Sequence, residues 1–239
     1  MQILVDYPEL FVPLQAAQSW EAGVTLPSRK SMDMLRAFSF FPLEKTRVVI
    51  LGQDPYHSID EQGNSKAWGL SFGYNPDYIG PINSSLANII KEIGADPATF
   101  DTSLASWARQ GILMLNTCLS VGMDKPLSHH NLGWQQVISE ILKDLYENTD
   151  CIFVAFGGEA QKVLKFVAPD RLVATSHPCR FSYNRGKVPF RGSRWHELVN
   201  AKLRANKYPS IEWTNPSAGN SKVVLELLKS GGTTIQLHP

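Results

Sequence analysis

The chain has 239 residues, 43% of them hydrophobic and 19% charged, and its 23 basic and 22 acidic side chains leave a formal charge of +1. This composition excludes intrinsic disorder, which requires few apolar residues and unbalanced charge, and the near-zero net charge neither favours nor excludes nucleic acid as a partner. One core suffices for such a chain, since cores stop growing only near about 250–300 residues. We therefore expect a single domain over residues 1–239.

The cysteines and the apolar runs indicate the compartment. Cys118, Cys151 and Cys179 are odd in number and form no C-x-x-C pair, so neither a disulfide framework nor a zinc ribbon fits. No secretion signal and no apolar run long enough for a membrane helix is recognisable in the sequence. We expect reduced thiols and a cytoplasmic protein, or a nuclear or host-cell one if the source is eukaryotic or viral.

Strands and helices alternate along the chain. In chain order, apolar runs and helical spacing first predict a strand over Arg47–Leu51 and a helix over Leu86–Ile93, capped by Ser84 or Ser85. A strand over Ile112–Leu115 and a helix over Trp134–Leu145, capped by Asn131, follow. The last elements predicted in this alternation are a strand over Cys151–Phe156, a helix running through Phe166, a strand over Leu172–Thr175 and a helix over Trp195–Leu203. This alternation predicts an α/β fold: a four-stranded, mostly parallel sheet with helices on both faces. After Trp213, residues 214–239 indicate a loop, a short helix and a loose end of unknown role.

Polar and glycine residues follow each predicted strand. They are Gln53–His57, Asn116, Gly157–Gly158 and His177. Ligands of parallel α/β sheets bind beyond the carboxyl ends of the strands. The sequence therefore predicts one site at this edge of the sheet.

The side chains at this edge suit a planar, polar ligand, although each also has an ordinary structural explanation. Asp54 could orient a water or stabilise a positive charge, but an Asp after a strand is usually a turn residue. His177 could donate a hydrogen bond to a developing oxyanion, but a lone His is more often a structural residue. Asn116 offers the donor and acceptor needed to recognise a base edge, but an Asn at a strand end is otherwise an ordinary turn former. Phe72 could stack on a ring, but an aromatic residue at its position is by default part of the core.

A basic segment follows the last predicted strand. From Arg171 to His196 the chain has no Asp or Glu, and aromatic residues alternate with basic ones, namely Arg171, Arg180, Arg185, Lys187, Arg191 and Arg194. This pattern is typical of surfaces that bind phosphates and exposed bases. The alternative is a solvated basic loop.

Four motifs lie along the chain: Leu51–His57 (LGQDPYH), Gly69–Phe72, Leu115–Thr117 and His177–Ser182 (HPCRFS). They resemble, in this order, the water-activating motif, the uracil-stacking segment, the base-reading strand end and the DNA-intercalating loop of family 1 uracil-DNA glycosylases. The motifs occur in the family's order, and the resemblance runs from about residue 37 to residue 213.

The resemblance implies an enzyme that flips uracil out of single- or double-stranded DNA and hydrolyses its N-glycosidic bond, leaving an abasic site. It implies that Asp54 and His177 are catalytic. Gln53, Tyr56, Phe72 and Asn116 are implied to bind uracil, with Tyr56 excluding the methyl group of thymine. No cofactor and no metal are expected. The protein is expected to be a monomer, with DNA-mimicking protein inhibitors as a further partner.

The implied DNA-gripping loops depart from the family's pattern. The implied DNA-binding residues are Ser84, Ser85, Gly157, Gly158, Arg180, Phe181, Ser182 and Arg185. Asn83-Ser84-Ser85 stands for the family's Pro-Pro-Ser, and Gly157-Gly158 for its Gly-Ser. In the intercalating loop, Cys179, Arg180 and Phe181 replace Ser, Pro and Leu. We expect Phe181 to act as a wedge in the base stack; the alternative is that it packs under its loop.

Two other functions remain open at this point. A metal-dependent hydrolase could use Asp54, His57, His129 and His130, although their spacing matches no H-E-x-x-H or cysteine-rich ligand set. A non-catalytic DNA-binding or decoy protein on the same fold is the second alternative, and it has no need of Asp54 and His177.

Overall fold

A four-stranded parallel sheet lies at the centre of the structure, a computed structural model that describes residues 2–214. The strands of the described residues, which belong to this sheet and to a second, smaller one, are β1 (Thr25–Leu26), β2 (Val48–Gly52), β3 (Ile112–Asn116), β4 (Val121–Gly122), β5 (Ile152–Phe156) and β6 (Leu172–Thr175). The central sheet has the order β3-β2-β5-β6 and every pairing in it is parallel, while β1 and β4 form a small antiparallel pair. The predicted α/β class and four-stranded sheet are confirmed.

Helices cover both faces of the sheet. They are α1 (Ile3–Asp6), α2 (Phe11–Gln18), α3 (Ser31–Met34), α4 (Ser84–Glu92), α5 (Ala105–Ala108), α6 (Trp134–Asn148), α7 (Gly158–Val163) and α8 (Trp195–Ala205), with 3₁₀ turns at Pro8–Leu10, Arg36–Ser39, Leu43–Lys45 and His130–Leu132. Within the described range, none of these helices is long and apolar enough to span a membrane.

Alternation along each strand divides the core into two layers. Val49 and Leu51 pack with α2, α6 and α7, whereas Val48 and Ile50 pack with α4, α5 and α8. Successive side chains of a strand point to opposite faces, so a strand covered on both faces must be apolar throughout. Residues 48–52 are accordingly all buried.

Helix ends differ from the sequence predictions. The cap of α4 is Asn83, whose Oδ1 accepts a hydrogen bond from the Leu86 backbone N–H at 3.1 Å. Ser84 and Ser85 were therefore wrong as caps; the Ser84 hydroxyl instead accepts from the Arg180 N–H. The prediction that Asn131 caps α6 is also wrong, because Asn131 lies in a 3₁₀ turn and α6 begins after Gly133.

The end of the third predicted helix also differs. Helix α7 ends at Val163 rather than continuing through Phe166. The ring of Phe166 packs against Tyr146 and Phe153, where α6 lies over the sheet. The elements predicted after Thr214 lie outside the described residues.

Candidate active site

The carboxyl ends of the parallel strands meet at one edge of the sheet and open into a pocket. Its volume is about 250 Å³. The lining residues are Gly52, Gln53, Asp54, Pro55, Tyr56, His57, Leu70, Phe72, Ser85, Asn116, Pro126 and His177. Both residues predicted to be catalytic and all four predicted to bind uracil thus lie in one cavity. The volume is slightly below the range of about 300–1,000 Å³ typical of sites for drug-sized ligands, which suits a single small ring.

Asp54 is held at the pocket by a contact that the sequence did not reveal. Its Oδ2 accepts a hydrogen bond from the backbone N–H of Leu127 at 3.0 Å. Leu127 has a left-handed φ of 64°, which is uncommon for a residue with a branched side chain. The neighbouring Gln53 is fixed through its carbonyl, which accepts from Thr117 Oγ1 at 2.8 Å and from the Cys118 N–H at 3.0 Å. The end of β2 is therefore tied to the end of β3.

Asn116 presents an unused amide to the pocket. It ends β3 and is only 7% exposed. Within residues 2–214, its side chain forms no hydrogen bond to another protein group, so its donor and acceptor are both available to a ligand. Gly52 on the paired strand makes room for it, because a Cβ at that position would collide with Asn116 Oδ1.

Phe72 forms an aromatic wall in a strained conformation. Its φ is 62°, and such left-handed geometry costs a non-glycine residue roughly 1–2 kcal/mol. Its ring lies 5.8 Å from that of Phe156 and 6.0 Å from that of His177. The Tyr56 hydroxyl donates to the Phe72 carbonyl at 3.1 Å. Burial raises the pKa of Tyr56, so this hydroxyl keeps its proton.

His177 is neutral and has a defined tautomer. Burial lowers its pKa below the ordinary value of 6.5. Its Nδ1 accepts a hydrogen bond from the backbone N–H of Cys179 at 3.1 Å, so the proton of the neutral ring is on Nε2. Gly157 has a φ of 89° and a Cβ there would lie 2.9 Å from His177 Cβ. Gly157 is thus buried against His177, whereas Gly158 is exposed.

The remaining predicted DNA-binding residues differ in their exposure. Ser85 is buried and lines the pocket, Ser84 and Arg185 are exposed, and Ser182 is half-buried. Phe181 is 75% exposed, and the guanidinium of Arg180 lies 5.5 Å from its ring centre. The alternative in which Phe181 packs under its loop is therefore wrong.

Arg171 does not belong to the basic surface. It precedes β6 and lies at the amino edge of the sheet, opposite the pocket. Its guanidinium donates to the carbonyls of Tyr146 at 2.7 Å and Cys151 at 3.1 Å, which joins the end of α6 to the start of β5. The exposed basic residues of the segment are Arg180, Arg185, Lys187, Arg191 and Arg194, the last paired with Glu197.

The match to a family model accounts for these motifs. The model of the uracil DNA glycosylase superfamily matches residues 38–204. The chain belongs to this superfamily. A uracil-DNA glycosylase of Ruegeria sp. is 38% identical over 216 residues, covering 88% of this chain and 86% of the relative. One from Pectobacterium atrosepticum is 37% identical over 201 residues, covering 81% and 83%.

Solved structures agree with this placement. The crystal structure of mimivirus uracil-DNA glycosylase is 26% identical and has a TM-score of 0.72, covering 87% of this chain and 86% of that one. A variant of mimivirus UNG in complex with UGI is 26% identical with a TM-score of 0.76, covering 89% and 85%.

The buried His129 supports the loop whose Leu127 N–H donates to Asp54. The Trp134 Nε1–H donates to Ser120 Oγ at 2.8 Å, and Ser120 Oγ lies 2.8 Å from His129 Nδ1. His129 Nε2 is buried without a hydrogen-bond partner in the described part of the chain. His129 is thus committed to this network, and among residues 2–214 no three His, Cys, Asp or Glu side chains come together to hold a metal. The ligand set of the metal-dependent alternative does not assemble.

The pKa of His129 predicts acid destabilisation. Burial lowers it from 6.5 to about 4, so the unfolded chain binds the proton more readily than the folded protein does. The contribution of neutral His129 to the free energy of unfolding is fully present above pH 6.5. It is lost as the pH falls towards about 4, by up to about 1.4 kcal/mol per pH unit. Urea unfolding across this window measures the slope. His129→Gln is expected to be less stable at neutral pH but to show a shallower slope; an unchanged slope would assign it to other groups.

Proposed function

We propose that this chain excises uracil from DNA, with Asp54 and His177 as its catalytic pair. The observation that carries the proposal is the convergence of a carboxylate, a neutral histidine, an aromatic wall and an unpaired amide in one 250 Å³ pocket. A duplex hides its bases, so the target nucleotide must be flipped out at a cost of a few kcal/mol. The extruded base then enters a cavity sized for one pyrimidine ring.

Cleavage of the glycosidic bond separates charge, and the two catalytic residues stabilise opposite ends. As the bond between C1′ and N1 breaks, its electron pair leaves with uracil and the sugar becomes cationic. His177 donates its Nε2–H to uracil O2, where negative charge develops, aided by backbone amides near Gln53. Asp54 stabilises the cationic sugar and orients the water whose oxygen bonds to C1′. The proton that this water loses balances the one that the departing uracil anion gains. The products are free uracil and an abasic site.

Three other residues select the base. Phe72 stacks on the uracil ring, an interaction worth about 1–3 kcal/mol. Asn116 accepts from N3–H and donates to O4. Tyr56 occupies the space beside C5, and its hydrogen bond to the Phe72 carbonyl holds it there, so the methyl group of thymine clashes. Uracil is the DNA base that satisfies all three.

A single-turnover assay on a uracil-containing oligonucleotide tests the proposal against the non-catalytic alternative. We expect free uracil to be released from single- and double-stranded DNA, at an unchanged rate in the presence of a chelator. Thymine and cytosine in the same context should remain. DNA binding without uracil release would support the binding or decoy protein and overturn the proposal.

The exposed basic surface beside His177 also suits a protein inhibitor that mimics DNA. A mimivirus UNG variant is known in complex with UGI, and the exposed basic residues Arg180, Arg185 and Lys187 of this chain would attract an acidic partner. We propose that such an inhibitor competes with DNA for the pocket mouth, and that the protein acts as a monomer.

Phe181→Ala is expected to slow uracil release from duplex DNA by about 10–100-fold, while release from single-stranded DNA changes little. The exposed ring enters the gap that the flipped base leaves, and only a duplex has such a gap. The factor follows from about 1–3 kcal/mol per stacked base. Single-turnover rates on the two substrates measure it.

Val5→Ala is the matched control for this variant. Val5 is 73% exposed, close to the 75% of Phe181. Its neighbours Asp6 and Tyr7 lie beside Glu44 and Thr149, which precede β2 and β5, so α1 is at the amino edge of the sheet, away from the pocket. We expect both of its rates to equal those of the wild type. If Phe181→Ala loses activity equally on both substrates, Phe181 does not act as a wedge.

A further inference from the structure

One face of α4 holds residues 177–194, the segment that follows β6 and carries His177. Ser84, Asn88 and Glu92 are spaced four residues apart, so their side chains share one side of the helix. Ser84 Oγ accepts from the Arg180 N–H at 3.2 Å, and Asn88 Nδ2 donates to the Pro178 carbonyl at 2.7 Å. Glu92 accepts from the N–H groups of Gly192 at 3.0 Å and Arg194 at 3.2 Å. Helix α4 thus fixes both ends of this segment.

The middle contact acts on the peptide unit that defines the state of His177. The carbonyl of Pro178 and the N–H of Cys179 belong to the same planar peptide group. The carbonyl accepts from Asn88, and the N–H donates to His177 Nδ1 at 3.1 Å. Fixing one end of the plane therefore fixes the other. Hydrogen bonds in such a chain also polarise one another and strengthen together.

We propose that Asn88 is a positioning residue for His177: by holding the Pro178–Cys179 peptide, it keeps the histidine in the tautomer that presents Nε2–H to the pocket. The inference rests on the proposed function, because a defined Nε2–H matters only if His177 donates to the departing base. Asn88 does not line the pocket. Its effect on the reaction is transmitted through one peptide bond.

Asn88→Asp removes the amide donor with almost no change of shape and sets a carboxylate against the Pro178 carbonyl. We expect the single-turnover rate to fall about tenfold on single-stranded and double-stranded substrates alike, with KM little changed, because the peptide loses a hydrogen bond and its carbonyl is repelled by the new carboxylate. In the His177→Gln background, Asn88→Asp should have no further effect on the rate, because the two residues act as one unit. Asn88→Gln, which keeps an amide donor, should restore part of the rate.

Long-range ¹H–¹⁵N spectra of the histidine rings give a readout that needs no activity. In the wild type, we expect His177 Nδ1 to resonate as an unprotonated nitrogen and Nε2 as a protonated one. In Asn88→Asp the two shifts should move towards each other as the tautomers exchange. Glu92→Gln is the control: it weakens the far end of the same segment, and both the tautomer and the rate on single-stranded DNA should stay as in the wild type.

The outcomes separate this inference from the function on which it rests. If the wild type releases no uracil, the proposed function fails whatever the spectra show. If the wild type is active but Asn88→Asp leaves the tautomer unchanged, or its effect adds to that of His177→Gln, the positioning role is overturned. Equal spectral changes in Glu92→Gln would likewise overturn it, because Asn88 would then act only through the general stability of the segment.

Discussion

Asp54→Asn is expected to lower the single-turnover rate of uracil release by about 10³-fold while leaving the affinity for uracil-containing DNA nearly unchanged. The sugar becomes cationic only as the bond breaks, so the charge of Asp54 acts mainly in the transition state. Preorganised electrostatic contacts of this kind contribute about 10²–10³-fold in rate per group. An asparagine oxygen can still accept the hydrogen bond that Leu127 N–H donates to Asp54 Oδ2, so the local structure is preserved.

Asp124→Asn is the matched control for Asp54→Asn, because it removes a carboxylate that lies beside His57 but does not line the pocket. Asp124 lies 3.9 Å from His57 and its side chain is 74% exposed, so we expect its loss to change the rate by less than about twofold. Filter binding and single-turnover kinetics on one oligonucleotide separate affinity from chemistry for both variants. If Asp54→Asn cleaves at nearly the wild-type rate, another group stabilises the sugar.

The sheet and its functional edge could be predicted because both depend on local patterns. The strand at Val48–Leu51 is apolar at every position, which favours a strand covered on both faces. Parallel strands place their carboxyl ends together, so the residues that follow each strand had to meet. This topology alone predicted that Asp54, Asn116 and His177 would lie close together.

The supporting contacts could not be predicted because they join distant parts of the chain. Leu127 and Asp54 are 73 residues apart, and Asn88 and Pro178 are 90 residues apart. No periodicity or motif within either segment indicates such a pair. The caps failed for a different reason: Asn83 and the two serines after it are all good caps, and the sequence does not reveal that the Ser84 hydroxyl accepts from the distant Arg180 N–H.

Arg171 shows a limit of charge patterning. It was grouped with the basic segment because of sequence proximity, yet a residue that precedes a parallel strand lies at the opposite edge from one that follows it. Arg171 precedes β6, and His177 follows it. Strand direction could therefore have separated Arg171 from the predicted DNA-binding residues.

Asn116→Asp is expected to reduce uracil release by at least about 10²-fold and to permit slow release of cytosine. The amide of Asn116 is free to bond the base, and uracil offers N3–H as a donor and O4 as an acceptor. A carboxylate can accept from N3–H but repels O4, leaving a desolvated polar group unpaired. Cytosine presents an amino group at the same place, from which the carboxylate accepts, although its N3 lone pair keeps the gain small.

Rates on otherwise identical oligonucleotides containing uracil, cytosine or thymine measure the change. Asn131→Asp, which adds the same charge at an exposed 3₁₀ turn, should keep wild-type selectivity. Thymine should remain uncleaved by Asn116→Asp, because Tyr56 still occupies the space beside C5. Retention of strict uracil selectivity and an unchanged rate by Asn116→Asp would mean that the base edge is recognised elsewhere in the pocket, since a carboxylate cannot replace the amide donor to O4.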